Sequence, residues 1–590
     1  MSASGWLKRI DEFCGGAPAA EPARCSRAAL ILSATVAVAI GLLFSLLPYA
    51  LWFHNSGSVA YVADKDNQYY LQLASQAYYS GGFSLRDVTV PDGATIYQSA
   101  QFVPAVMLVR LLRLPVLDVN LIWRIWAGIA IPILLFCIFF YWSRSPWTSA
   151  FCAILMMVDC GVTFAQPGLW QIMRTYQAAV GHLPALYDGQ DLLGQWRVID
   201  PAVGLPIVLL QILLVSAAVE GRERRQTLMA AGIATGALFY VWFYYWTSAT
   251  AALTLVILLD RRNRRVYAAI IGIALLVGGP AIITEFLARS RVNPEALRRI
   301  GVYAPVSRFG FFLLPKIALG WLVLTAVWIW RKPRREGLYL WCMAVAAVAL
   351  SNNHIFTGMD LRAGHWRYVW GVGVSILIIL MAAQIVRYGL RSRPTALATL
   401  AAVVLLFEAS SGLMLRKIEV ERGINSRIEL NGYMRFVSQT SANQPRPFPA
   451  GAVIAGDSGF CAFESIASGA RPLAGYAAFI SAVLNDRDWE TRAALNARLE
   501  GLNENEFHEK ARAAARSYGW GESADRRMPD LVENGMMRAY ARTGTGLDAE
   551  IRRFDVRFVA IPVARPAPDY LSRGWKLIEP GPQWRIWERE

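Results

Sequence analysis

The sequence predicts a polytopic α-helical membrane protein with a C-terminal α/β domain in the periplasm. Apolar residues make up 55% of the 590 residues and charged residues only 17%, a less polar balance than that of soluble globular proteins. Hydrophobic runs recur over residues 28–414, and several reach the roughly 20 residues that span a bilayer. Charged and polar residues become frequent from about residue 415, which indicates a second domain at 415–590.

The apolar runs predict about eleven transmembrane helices, with ends set to within a few residues. These spans are at about 28–52, 120–142, 148–165, 203–219, 227–243, 245–260, 266–287, 311–330, 338–352, 369–386 and 395–414. The apolar stretch 227–259 lies between two basic clusters, and a single crossing would put one of them outside. Two short helices that turn near Phe243–Trp246 keep both clusters on one side.

The basic residues of the short loops set the orientation of the chain. They occur at Lys8, Arg9, Arg144, Arg222, Arg224, Arg225, Arg261, Arg262, Arg264, Arg265, Arg331, Lys332, Arg334, Arg335, Arg387, Arg391 and Arg393. All fall on one side if residues 1–27 form a cytoplasmic tail and the first span is an uncleaved anchor in the bacterial inner membrane. The net charge of +16 is explained by this pattern, so we expect membrane lipids rather than nucleic acid as partners.

Four loops on the opposite face are longer and chemically mixed, which is typical of functional loops. They are residues 53–119, 166–202, 288–310 and 353–368, within the membrane domain 28–414. In the first, the amphipathic pattern of Pro104–Arg113 predicts a helix lying on the membrane surface.

The C-terminal domain shows alternating strand and helix patterns. Strands are expected at 451–456 and 554–561, charged helices over 486–517, and a closing hairpin near residues 576–587. The sequence Gly456-Asp-Ser-Gly459 is similar to a hydrolase motif. Because no histidine of a triad lies nearby, it favours a strand-to-helix turn.

Asp64 and Asp66 follow directly after the first span, in the sequence Asp64-Lys-Asp66-Asn-Gln-Tyr69-Tyr70. Asp66 can cap a helix whose buried face carries Tyr70 and further apolar residues. Two carboxylates at the membrane surface can bind a divalent cation, or one can act as a general base. The structural alternative is a helix cap plus a solvated acid.

This D-x-D with paired tyrosines resembles the superfamily C membrane glycosyltransferases. These include the catalytic subunits of oligosaccharyltransferases, the protein O-mannosyltransferases and the lipid A aminoarabinose transferases. The resemblance covers the layout of most of the chain but only about fifteen residues of motif. It implies a transferase that moves a hexosyl or pentosyl unit from a polyprenyl-phosphate-linked donor to a periplasmic acceptor. It also implies that Asp64 or Asp66 is catalytic or binds a cation such as Mg²⁺ or Mn²⁺.

The sequence departs from the best-known relatives, since it has no W-W-D-Y-G motif and lacks the acid pair typical of O-mannosyltransferases. The acceptor therefore stays open among a cell-envelope glycan, a lipid and a protein. In the second loop, Asp188 and Asp191 are secondary candidates because relatives often place an acidic site there. Arg197 lies at the bilayer edge, either in the site or in a structural pair with Asp200.

The fourth loop carries two of the five histidines, His354 and His365, together with Arg362 and Arg367. A lipid-linked donor presents its phosphate at this height. Arg362, His365 and Arg367 are therefore the predicted phosphate-binding residues, because guanidinium groups match phosphate oxygens. His354 is a secondary candidate, and headgroup anchoring by an aromatic belt is the alternative.

Two other functions stay open. A lipid-linked sugar flippase or transporter would carry ionisable residues at mid-membrane, whereas the predicted helix centres are nearly free of charge. A non-catalytic envelope-assembly protein would use the exported domain to bind a partner and would tolerate loss of Asp64.

Overall fold

A computed structural model describes most of the chain. It covers residues 26–56, 65–80, 85–91, 93, 95, 99–158, 202–220, 224–301, 304–309, 312–313, 316–330, 337–361, 363–389, 393, 395–406, 409–410, 413, 448–518, 528–580 and 583–590. Over these ranges the fold is mainly helical, with one small sheet in the C-terminal domain.

Each predicted span overlaps a helix of the described chain, although the number of these helices that cross a membrane stays a prediction. These helices are Arg27–Ser56, Val119–Ser143, Pro146–Val158, Gly204–Glu220, Arg224–Ala237, Phe243–Leu259, Arg264–Arg289, Lys316–Trp330, Leu338–Leu350, Arg367–Gly389 and Thr395–Leu406. Among the described residues, four segments are long and apolar enough to cross a bilayer by themselves, namely Arg27–His54, Val116–Ser143, Arg264–Leu287 and Tyr368–Val386. The chain is therefore a membrane protein of several spans.

The apolar stretch between the two basic clusters is broken into two helices. The first ends at Ala237 and continues as a 3₁₀ turn over Leu238–Tyr240. Trp242 is extended, with φ −150° and ψ 130°, and the second helix begins at Phe243. The turn lies a few residues before the predicted position, and the Phe239 and Trp246 rings stack across it with centroids 4.6 Å apart.

The predicted surface helix is also present, over Val103–Leu111. Ala105, Val106 and Val109 are buried, while Met107 is 44% and Leu111 79% exposed. An exposed apolar edge on a helix of the first outer loop suits the membrane interface.

The C-terminal domain has a five-stranded mixed sheet. Its strands lie in the order Arg471–Pro472, Val453–Gly456, Val556–Pro562, Trp584–Arg589 and Trp575–Pro580. The first three are parallel, and the last two form an antiparallel hairpin whose Trp584–Arg589 strand pairs with Val556–Pro562. Its helices are Ser458–Ala467, Tyr476–Ile480, Asp486–Glu500, Glu504–Ser517, Met528–Thr545 and Leu547–Arg553.

The Gly456-Asp-Ser-Gly459 sequence forms the turn between the first strand and its helix. Gly456 has φ +107°, and a Cβ there would lie 2.0 Å from the Ala560 carbonyl oxygen, so only glycine fits. Asp457 is the N-cap and accepts a hydrogen bond from the Phe460 amide. The side chain of Asn496 holds both backbone groups of Gly456 at 2.9 Å. These contacts give the motif a structural role.

Two of the four long loops contact the C-terminal domain. A helix of the first loop, Lys65–Ser80, packs against the helix Ser458–Ala467. A short helix of the third loop, Pro294–Arg299, packs against the helix Asp486–Glu500. The third and fourth loops join through antiparallel backbone pairing of Ala304 with Asp360. The domain thus packs against the first and third loops, and the first of these carries the candidate Asp66.

Candidate functional site

The first-loop helix, Lys65–Ser80, presents a stripe of polar side chains to the C-terminal domain. The side chains one turn apart on this stripe are Gln72, Ser75, Gln76 and Tyr79. Ser75 Oγ donates to the Ile466 carbonyl at 2.8 Å, Gln76 donates to Gly469, and Tyr79 donates to Ala467. The last carbonyls of a helix have no partner within the helix. The first-loop helix therefore satisfies the C-terminal end of the helix Ser458–Ala467.

Asp66 lies in the first turn of the first-loop helix, where a carboxylate interacts favourably with the helix dipole. The helix begins at Lys65, so Asp66 is inside it and not at the cap position that the sequence predicts. Its side chain is partly buried, and its Oδ1 accepts a hydrogen bond from the Tyr476 hydroxyl. Folding thus brings this candidate acid onto a tyrosine of the C-terminal domain.

The paired tyrosines anchor the same helix to the membrane bundle. Tyr69 is 1% exposed. The Tyr70 ring meets Phe102 edge-on at 6.2 Å, and Phe102 meets Trp123 of the second span at 5.7 Å. This packing fixes Asp66 at the end of the bundle.

A cavity of about 330 Å³ lies between the first-loop helix and the C-terminal domain. Its polar lining residues are Gln68, Gln72, Ser458, Tyr476, Asn496, Glu500, Lys510 and Ser517. Its aromatic lining residues are Tyr476, Phe479, Trp489 and Phe507, and most of the remaining wall consists of alanines. This volume is at the small end of the range of about 300–1,000 Å³ for ligand pockets.

The charged residues of this lining form a pair, with Lys510 Nζ 3.0 Å from Glu500 Oε2. Burial raises the pKa of Glu500, and the nearby Lys510 ammonium acts in the opposite direction. The described part of the lining therefore carries no net formal charge when both are ionised.

The fourth loop places His365 in a cluster of aromatic rings. The His365 ring stacks on Tyr244 at 5.0 Å and 22°, and Trp242 lies 5.9 Å from it. Tyr244 also donates from its hydroxyl to the Leu361 carbonyl at 2.8 Å. His354 is fully buried. This cluster has the composition of an interfacial aromatic belt, with His365 partly exposed on it.

Several predicted site residues lie outside the described residues. These are Asp64, Asp188, Asp191, Arg197 and Arg362, and the side chain of Arg367. Within the ranges that the structure describes, no group of three or more His, Cys, Asp or Glu residues could hold a metal ion. The predicted cation site includes Asp64, so it stays a prediction.

Two arginines of the outer region were missed by the sequence reasoning. Arg299 is fully buried and donates to the Phe479, Ser481 and Leu484 carbonyls and to the Asp486 carboxylate. Arg124 is 2% exposed inside the second span, and its backbone carbonyl accepts a hydrogen bond from the Ser45 hydroxyl at 2.6 Å. A charged residue within an apolar run was a usable signal for Arg124. Arg299 follows another arginine, and the sequence does not reveal which of the two faces inward.

No protein-family model matches the chain, and no curated protein matches it either. The chain is similar to the crystal structure of ArnT from Cupriavidus metallidurans bound to undecaprenyl phosphate, at 12% identity and a TM-score of 0.41, over 95% of this chain and 98% of that one. It is also similar to the Archaeoglobus fulgidus oligosaccharyltransferase in complex with Zn and sulfate, at 11% identity and a TM-score of 0.43, over 89% of this chain and 68% of that one.

Both matched structures come from the class of glycosyltransferases that the sequence resembles. With TM-scores below 0.5, the likenesses assign no activity, ligand or residue role to this chain. Those assignments depend on its own residues.

Proposed function

We propose that the protein is a membrane glycosyltransferase that moves a sugar from a polyprenyl-phosphate-linked donor to an acceptor outside the cytoplasm. The observation that carries the proposal is the position of Asp66. This acid directly follows the first span, lies in the first turn of a packed helix, and is hydrogen-bonded to Tyr476 beside a cavity of about 330 Å³. Transfer from a membrane-bound carrier requires a carboxylate at the boundary between the helix bundle, the cavity and the C-terminal domain, and Asp66 lies there.

In this proposal, Asp66 or Asp64 takes the proton of the acceptor hydroxyl, or the two hold a divalent cation that assists departure of the carrier phosphate. A general base must lie within hydrogen-bonding reach of the proton that it removes. The Tyr476 hydroxyl orients the Asp66 carboxylate from the side of the cavity. The C-terminal domain thereby contributes to selection of the acceptor.

The carrier phosphate is held by Arg362, His365 and Arg367 in this proposal. The described part of this group supports a position at the membrane interface, since His365 stacks on Tyr244 within an aromatic cluster. Aromatic residues gather at the level of the lipid headgroups. The donor phosphate lies at the same level. In this proposal the protein lies in the inner membrane, with residues 1–27 in the cytoplasm and the C-terminal domain in the periplasm.

The test is sugar transfer by the full-length protein in lipid nanodiscs, with a polyprenyl-phosphate-linked donor. Loss of general-base catalysis costs roughly 10²–10⁴-fold in rate, so we expect Asp66→Asn or Asp64→Asn to lower transfer by that factor. Asp118→Asn is the matched control, because Asp118 lies in the same outer loop, in the turn before the second span. A chelator separates the two roles of these acids. If they hold a cation, chelator should abolish transfer, whereas transfer by a general base should be insensitive to chelator.

A flippase for lipid-linked sugars is the second candidate, and Arg124 is the observation that favours it. Ionisable residues buried within spans often mark transport pathways, and Arg124 is 2% exposed in the helix Val119–Ser143. Full transfer by both Asp→Asn variants would contradict the glycosyltransferase proposal. Loss of lipid-linked sugar translocation in Arg124→Gln would then favour the flippase. Activity of neither kind would favour an envelope-assembly protein.

A further inference from the structure

We propose that the cavity between the first-loop helix and the C-terminal domain binds an uncharged sugar unit of the acceptor. The proposal rests on the proposed function, and it names the chemical class of the acceptor. It follows from one buried amide oxygen, from the charge of the lining, and from the position of Tyr476.

Gln72 provides the polar atom that requires a ligand. Its side chain lies on the cavity wall and is 1% exposed. Its Nε2 donates to Ser465 Oγ at 2.6 Å. Its Oε1 is buried and has no hydrogen-bond partner among the described residues. Buried amide oxygens are nearly always hydrogen-bonded, so a hydroxyl or N–H donor inside the cavity completes this one.

The charge of the lining selects against anions and cations. Among the described residues of the lining, Glu500 and Lys510 are the charged ones, and their side chains pair at 3.0 Å. A phosphate or carboxylate ligand would need uncompensated positive charge or several free backbone donors. The cavity therefore suits a neutral molecule, and the carrier phosphate of the donor belongs elsewhere.

The aromatic walls distinguish a sugar from an alkyl chain. The rings of Tyr476, Phe479, Trp489 and Phe507 line a space that also contains Gln68 and Gln72. A sugar ring offers apolar C–H faces to such rings and hydroxyl donors to the amide oxygens, the combination of apolar walls and few polar groups that is typical of ligand sites. An alkyl chain would leave Gln72 Oε1 without a donor.

Tyr476 connects this cavity to the proposed chemistry. Its ring lines the cavity, and its hydroxyl donates to Asp66. The preceding Gly475 has φ +92°, a conformation that favours glycine and that sets the start of the short helix Tyr476–Ile480. A sugar in the cavity thus lies one side chain away from the acid that would deprotonate its acceptor hydroxyl.

The experiment is saturation-transfer NMR on the full-length protein in nanodiscs, without donor, with empty nanodiscs as background. The probes are the methyl glycosides of glucose, galactose, mannose and N-acetylglucosamine. We expect saturation transfer to at least one probe, reduced at least fivefold in Gln72→Leu. The matched control is Gln76→Leu, one turn further along the same helix, where the side chain donates to the Gly469 carbonyl and saturation transfer should persist.

A second variant protects the test against misfolding of Gln72→Leu. Ala514 lines the cavity from a partly exposed position, so Ala514→Phe fills the space without adding a large ring to a closed core. Saturation transfer should be lost in this variant too. Three outcomes would overturn the proposal. The wild type could show no saturation transfer to any of the four probes, or both cavity variants could show the same saturation transfer as the wild type. Inorganic phosphate, added at the same concentration as the probe, could displace the probe. Because no donor is present, these outcomes are independent of sugar transfer by the Asp66 variants.

Discussion

The C-terminal domain meets the outer loops at two interfaces of different chemistry. At the third loop, the fully buried Arg299 donates to three carbonyls of residues 479–484 and to the Asp486 carboxylate. At the first loop, neutral side chains of the helix Lys65–Ser80 each form single hydrogen bonds with the end of another helix. The first interface is one dense contact around a buried guanidinium. The second is a row of separate neutral contacts beside a cavity, with the hydrogen bond from Tyr476 to the Asp66 carboxylate at its start.

This difference follows from the cost of burying charge. A buried guanidinium is tolerated only when its donors are satisfied together, so the Arg299 interface has one stable geometry. Neutral hydrogen bonds contribute about 0.5–1.5 kcal/mol each, and the loss of one leaves the others in place. We infer that the third loop fixes the position of the domain, whereas the first-loop interface leaves room for a ligand.

Replacing Arg299 should have the largest effect on this architecture. Arg299→Met leaves Asp486 and three backbone carbonyls without their donor, and breaking a buried charge pair costs about 3–5 kcal/mol. We expect hydrogen exchange in the segments 294–299 and 476–489 to rise by about 10² or more, since 1.4 kcal/mol is tenfold. Arg298→Met is the control, because Arg298 is exposed. Equal exchange in the two variants would contradict an anchoring role for Arg299.

The second effect is expected at Tyr476, which acts through Asp66 as a positioning residue. Tyr476→Phe keeps the ring on the cavity wall but removes the hydrogen bond to the Asp66 carboxylate. A hydrogen bond to a carboxylate is worth about 1.5–3 kcal/mol. Transfer should fall about tenfold in kcat, whereas KM for the acceptor should stay nearly unchanged because the ring remains on the cavity wall. A reduced rate that arises from a raised KM would contradict a positioning role.

Much of this framework could be predicted from the sequence because local rules determine it. The break before Phe243 follows from the charge pattern on either side of it. The helix that begins after Asp457 follows from the cap residue and the preceding glycine. The position of the first-loop helix was predictable, but Asp66 lies in its first turn and not at the cap position.

The contacts between distant segments could not be predicted in this way. Asp66 and Tyr476 are 410 residues apart in the chain, and no periodicity or spacing relates them. Arg298 and Arg299 are chemically identical neighbours, and only the packing of their short helix against the helix Asp486–Glu500 buries the second. The part of the cavity wall that is neither polar nor aromatic consists mostly of alanines, whose small side chains leave the space open.

A smaller effect, on pH dependence, should separate the two interfaces. Burial and the nearby Asp486 carboxylate raise the pKa of Glu490 to about 7, against the opposing charges of Arg538 and Arg542. Because the folded-state pKa is raised, the stability of the domain should fall as pH rises from about 4.5 to 7 and then level off. Glu490 is only partly buried, so solvent screening limits the loss to about 1 kcal/mol.

Glu490→Gln removes this ionisation and should flatten the pH dependence of the midpoint for thermal unfolding of the C-terminal domain. The comparison is made between pH 5 and pH 8, and the variant should gain stability relative to the wild type at the higher pH. Hydrogen exchange in the first-loop helix Lys65–Ser80 should not change between pH 5 and pH 8 in response to Glu490→Gln. A wild-type midpoint that rises across this range would contradict the assignment of the raised pKa to Glu490.

The smallest effect is expected at Ser75, and it tests whether the first-loop contacts are independent of one another. Ser75 is fully buried and donates to the Ile466 carbonyl at 2.8 Å, so Ser75→Ala should cost about 1 kcal/mol and raise exchange at the end of the helix Ser458–Ala467 about fivefold. Ser33→Ala is the control, since that equally buried hydroxyl donates within its own helix. Combining Ser75→Ala with Gln76→Leu should give the sum of the two effects, because separate neutral bonds have no shared charge to satisfy. A double variant that matches the loss in Arg299→Met would instead mean that the first-loop contacts form one cooperative unit, and the distinction between the two interfaces would be wrong.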